Sequence, residues 1–173
     1  MARTAITKTT LYGTPSQNIF ETIDTRTNVG DPRDPADQII RVFVYHSEPK
    51  SKAMDFSLYP YIIAEDATME PPTLQRADHK TEYLRWKHTI TIRTAKRGAG
   101  GNRDDTGITD MRNIVNELLS TFKSETIKAE LRAYYMWDIQ INVADIGSVV
   151  VDQQTIHETI VELSYSAHFQ VST

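Results

Sequence analysis

Between residues 82 and 93 apolar and polar positions alternate without interruption. Leu84, Trp86, Ile90 and Ile92 fall on one side; Arg85, Lys87, Thr89, Thr91 and Arg93 fall on the other. Alternation with a period of two predicts a half-buried strand, here with a basic outer face. A second alternating run covers residues 135–143, with Tyr135, Trp137, Ile139, Ile141 and Val143 expected inward. A third covers residues 155–171. There Val161, Leu163, Tyr165, Ala167, Phe169 and Val171 share one side, and Glu158, Glu162, Ser164, Ser166, His168 and Gln170 the other. Strands usually run about 3–10 residues, so this one is expected to bend or to extend beyond its sheet. Between the first and second runs, Met111, Ile114, Val115, Leu118 and Phe122 recur at helical spacing and predict an amphipathic helix over 109–122. Thr109 and Asp110 stand where a cap and a first-turn acid belong. Residues 125–131 read as a second short helix or a turn.

The first part of the chain is less regular. Thr14 followed by Pro15 is a helix start, and Ile19, Phe20 and Ile23 continue it at helical spacing, which predicts a short helix over 15–24. Asp31-Pro32-Arg33-Asp34-Pro35 is turn chemistry, because proline fixes φ and each aspartate can bond its own backbone. Residues 39–45 are apolar enough for a strand or an ordered extended segment. Pro60 bars a central strand from starting before it, but one can begin at Tyr61. The grouping of strands around one main helix predicts an α+β fold, with an antiparallel or mixed sheet. A chain of 173 residues fits one domain. That domain is expected to span 1–173, with an irregular N-terminal portion (1–57) and a core (58–173).

Composition narrows the chemistry. With no cysteine there is no disulfide, thiolate nucleophile or cysteine metal site. No apolar run approaches the ~20 residues that cross a bilayer, so a soluble chain with no membrane partner is expected. The N-terminus lacks the apolar stretch of a secretory signal. The net charge of −4 hides a division. Residues 76–103 carry Arg76, Lys80, Arg85, Lys87, Arg93, Lys96, Arg97 and Arg103 against only Asp78 and Glu82. Residues 138–173 carry no Lys or Arg, against Asp138, Asp145, Asp152, Glu158 and Glu162.

Each candidate for catalysis or cofactor binding fails on spacing. No two of His46, His79, His88, His157 and His168 are three to five residues apart, although His88 and His168 could meet across strands. Asp104, Asp105 and Asp110 lack the alternate ligands and closing Glu of a calcium loop. Gly98-Ala99-Gly100-Gly101 follows a strand and precedes a helix, but no Lys-Ser/Thr or GxGxxG spacing goes with it. Glu158 and Glu162, four residues apart on one strand face, would have Cα atoms ~13 Å apart, too far for a retaining carboxylate pair. No serine stands in a nucleophile elbow. A non-enzymatic chain without a cofactor is therefore expected. The charge division offers two other readings. Arg85, Lys87, Arg93, Lys96, Arg97 and Arg103 could contact phosphates as a nucleic-acid-binding module over 76–103, although no aromatics interleave with them. Alternatively, they could meet Glu158 and Glu162 of a neighbouring copy, since complementary patches on one surface favour head-to-tail contacts that close into rings.

Four segments carry a resemblance. They are Tyr59-Pro60-Tyr61-Ile62-Ile63, the strand Trp86-Lys87-His88-Thr89-Ile90-Thr91-Ile92, the helix from Asp110 to Leu119, and the closing strand with Tyr165-x-x-x-Phe169. In order and hydrophobic pattern, from Tyr59 to Val171, the chain resembles the tail terminator and neck (tail completion, head–tail joining) proteins of long-tailed phages. The resemblance implies a virion protein assembled in the host cytoplasm. It implies a hexameric ring of this chain that ends polymerisation of the major tail tube protein. The ring would join the tail to the head connector or head completion protein, and DNA would pass its lumen without sequence-specific binding. A head–tail stopper and a tail-tube subunit are the neighbouring alternatives. Arg85, Lys87, Arg93, Lys96, Arg97, Arg103, Glu158 and Glu162 are then candidates for subunit interfaces or for the lumen.

Overall fold

A computed structural model describes residues 14–26, 43–45, 60–64, 68–69, 81–95, 107–151 and 154–170. The fold is α+β. In chain order the elements are α1 (Thr14–Arg26), β1 (Phe43–Tyr45), β2 (Tyr61–Ala64), β3 (Thr68–Met69), β4 (Thr81–Ala95), α2 (Ile108–Lys123), α3 (Glu125–Arg132), β5 (Met136–Val151) and β6 (Gln154–Gln170). The strands form one mixed sheet in the order β1-β2-β4-β6-β5, and β3 also pairs with β4. Only β1 and β2 run parallel; every other pair is antiparallel.

The alternation of β4 and β6 sets the layers. Trp86, Ile90 and Ile92 stand opposite Tyr165, Val161 and Thr159, so the apolar sides of the two strands face the same way. Ile62 and Ala64 of β2 and Ile141 of β5 extend that side across the sheet. Against it pack Ile19 and Ile23 of α1, Met111, Ile114, Leu118 and Phe122 of α2, and Ile127 and Leu131 of α3. Fully burying side chains of this size contributes about 1.5–3 kcal/mol each, which makes this layer the main stabilising contact. α1 also contributes to this core. Ile19 and Ile23 are completely buried, and Asn18 reaches across to the Met136 sulfur at 3.9 Å.

Two local features differ from the sequence expectation. The cap of α2 is Gly107, not Thr109, which lies exposed inside the first turn. Gly107 has φ 77°, and a Cβ there would sit 2.8 Å from the Ala95 carbonyl oxygen. Its own carbonyl accepts from Met111 N at 3.0 Å and from Thr94 Oγ1 at 2.7 Å, tying the helix start to the end of β4. In β5, Tyr135, Trp137 and Val143 were expected inward, yet they are 49%, 38% and 38% exposed. The register shifts between Trp137 and Gln140, where Asp138 adopts φ 51°. One extra residue at such a bulge reverses the alternation. Met136 is therefore fully buried, Trp137 turns outward, and Ile139 and Ile141 return to the core. Val143 stays opposite the buried Val161 but lines an open groove.

Residues 125–131, left open between helix and turn, are helical. Ser124, with φ −63° and ψ 129°, breaks the chain between α2 and α3. Among the described residues, no helix is long and apolar enough to cross a membrane.

Candidate functional site

The sheet face turned away from the helices is built by the polar positions of β4 and β6, with the buried Tyr61 and Ile63 of β2 and Ile156 of β6 on the same side. Antiparallel pairing sets Arg93 opposite Glu158 and brings Lys87 within one diagonal of Glu162. Arg93 Nε donates to Glu158 Oε2 at 2.5 Å, and Nη1 donates to Tyr61 Oη at 3.3 Å. Lys87 Nζ pairs with Glu162 Oε1 at 2.5 Å. Arg85 donates to Ser164 Oγ at 3.2 Å and to Gln140 Oε1 at 3.4 Å. Burial alone would make the Arg93 guanidinium easier to deprotonate. Its hydrogen bonds to Tyr61 and Glu158, with their electrostatic attraction, outweigh burial and raise its pKa above the usual arginine range.

The expected site residues thus divide. Arg85, Lys87, Arg93, Glu158 and Glu162 share one face, and four of them neutralise one another in pairs within a single chain. Their opposite charge, which had pointed to contacts between copies, is satisfied internally. Cross-strand charge pairs of this half-exposed kind contribute about 0–1 kcal/mol each. Lys96, Arg97 and Arg103, with the glycine-rich stretch 98–101 and the acidic pair Asp104-Asp105, lie outside the described residues. The sequence pattern gave no sign of Tyr61, Gln140 or Ser164 as partners, because those contacts depend on strand order.

The opposite end of the sheet carries a different surface. β5 is an edge strand, and from Asn142 to Val150 every residue is exposed. Ile146, Val149 and Val150 are 73%, 60% and 70% exposed. On the helix side, the first turns of α2 stand off from the β5–β6 hairpin and leave a groove of about 460 Å³. Ile108, Met111, Val115, Val143 and Ile146 supply its apolar wall. His157 Nε2 and Thr159 Oγ1 are both buried beside the groove, which their residues line, without a hydrogen-bond partner among the described residues.

The remaining polar chemistry is enclosed. His88 Nε2 lies 2.9 Å from Tyr165 Oη, and the rings stack at 5.5 Å. Burial pushes the Tyr165 phenol well above its ordinary pKa, so it stays protonated. His88 and His168 do not meet. The register sets His168 opposite Tyr83 and His88 opposite Leu163, five positions along β4 and thus about 17 Å apart. Among the described residues no group of three acidic or histidine side chains could hold a metal ion. No family model and no curated protein matches the chain.

Proposed function

We propose that this chain is a structural virion subunit of the tail terminator or neck class. In this reading it forms a hexameric ring that ends tail-tube growth, joins the tail to the head connector and lets DNA pass. The observation that carries the reading is the cross-paired polar sheet face. A lumen for DNA needs a polar wall that does not hold phosphate strongly. Free lysines and arginines would bind the backbone through counterion release. Here Lys87 and Arg93 are matched by Glu162 and Glu158 on the neighbouring strand, so this paired patch carries little excess charge, while Tyr61, Ile63 and Ile156 on the same side of the sheet are buried. The same pairing weighs against a nucleic-acid-binding module built on β4.

Native mass measurement with electron microscopy of the purified chain tests the reading. Closed hexameric rings that cap growing tubes of the tail tube protein support it. Long tubes made of this chain alone would make it a tube subunit. A monomer with no effect on tube length would overturn the assembly reading altogether.

A further inference from the structure

Solitary edge strands in natural sheets are short, bulged, or guarded by Lys and Pro, because their open N–H and C=O groups pair with any strand that reaches them. β5 has sixteen residues and includes no Lys, Arg or Pro. Its two register shifts fall before Asp145, so the outer part pairs regularly with β6 from Asp145 to Val151. The segment Ile146-Gly147-Ser148-Val149-Val150-Val151 has no charge at all. Among the described residues no strand lies on its outer side, and Ile146, Val149 and Val150 are exposed.

We infer that this edge is a self-association surface, on which β5 of one copy pairs antiparallel with β5 of a second copy about a two-fold axis. The segment complements itself. With the axis at Ser148, Ile146 faces Val150 and Gly147 faces Val149, so these four positions meet apolar or minimal neighbours, and Asp145 at the end of the segment faces Val151. The adjacent register, one residue along, would pair positions from opposite strand faces and turn the two helix layers to opposite sides of the joined sheet. An axis at Ser148 also keeps both helix layers on the same side of the joined sheet. Ile146, already in the wall of the α2 groove, is then flanked by Val150 of the second copy, which extends that apolar wall. The uncharged segment 146–151 fits an identical uncharged segment, whereas a charged partner would find no complement within it.

This contact does not depend on the ring reading. A two-fold interface doubles the copy number but does not by itself close a ring. The chain has no cysteine, so Ser148→Cys provides a single reporter on the axis. Directly opposed residues in an antiparallel pair have Cα atoms about 4.5–5.5 Å apart, inside the range that a disulfide spans. Under mild oxidation the Ser148→Cys protein is expected to convert mostly to a covalent dimer, while Thr126→Cys, exposed on α3 and outside the 146–151 segment, does not. Val149→Lys and Val150→Lys, both at exposed positions, are expected to halve the native mass with unchanged circular dichroism. Equal crosslinking of the two cysteine variants, or a native mass indifferent to both lysines, overturns the inference. A wild-type dimer that never grows further would support the edge contact while contradicting the ring.

Discussion

Replacing Gly107 with alanine should destabilise the fold through two effects that can be read from its surroundings. The first is conformational. At φ 77° a side chain costs about 1–2 kcal/mol relative to glycine. The second is steric. The new Cβ would lie 2.8 Å from the carbonyl oxygen of Ala95 and 2.9 Å from its carbonyl carbon. That backbone cannot retreat easily, because Ala95 is 1% exposed and is the last β4 residue paired with β6. Overpacking of this kind adds about 1–3 kcal/mol. The combined loss is therefore about 2–5 kcal/mol. For a chain of this size each kcal/mol lowers Tm by about 2–4 °C, so a fall of roughly 4–20 °C is expected. Thr94 and Met111 both bond the Gly107 carbonyl, so the loss should appear at β4 and α2 together in hydrogen exchange. Gly147→Ala is the control, since nothing lies within 4 Å of its Cβ; it should change stability by about 0.5 kcal/mol or less. Urea denaturation of both variants decides the matter. If Gly107→Ala unfolds at the same urea concentration as Gly147→Ala, the account of the α2 cap is wrong.

Glu158→Gln together with Glu162→Gln releases Arg93 and Lys87 from their pairs, so DNA affinity at low salt should rise and the slope of log K against log salt should steepen by up to about 2; an unchanged slope would contradict the neutral-face argument. Tyr165 has a folded pKa raised by burial above the ordinary value of 10.0, so its contribution is complete below that pH and is lost as pH rises beyond it. Stability measured across this alkaline range should therefore fall less steeply in Tyr165→Phe than in the parent, and parallel curves would refute the assignment. The Glu125 carboxyl is held below its usual pKa by its hydrogen bond to Lys128 and by the charges of Lys128 and Arg132. Its contribution is present above the ordinary carboxylate pKa and lost as pH falls through the lowered one. In Lys128→Ala the Glu125 titration followed by NMR should move upward, and an unmoved midpoint would remove the pairing.

Local periodicity made the framework legible. The phases of β4, α2 and most of β6 follow directly from the spacing of Trp86, Ile90 and Ile92, of Met111, Ile114 and Leu118, and of Val161, Leu163 and Tyr165. The face of β5 was not legible, because an extra residue near Asp138 reverses the alternation and leaves no hydrophobic signature. The cap of α2 was missed for a related reason. Thr109 has the usual capping chemistry, but Thr94 and the approach of Ala95 select glycine two residues earlier. The candidate site suffered from the largest gap. Basic and acidic segments were visible along the chain, but whether they meet within one copy or between two depends on the pairing of β4 with β6. The exposure of Ile146, Val149 and Val150 was not legible either, because it follows from the place of β5 at the sheet edge.

The central claim is that this chain acts by assembling with itself into a ring at the end of a tail tube. Native mass spectrometry of the purified wild-type chain, read together with electron micrographs of the same sample, tests that claim most directly. The account predicts a closed ring of hexameric mass, or of twice that mass where two rings pair through β5. A chain that remains strictly monomeric at every concentration measured would contradict it.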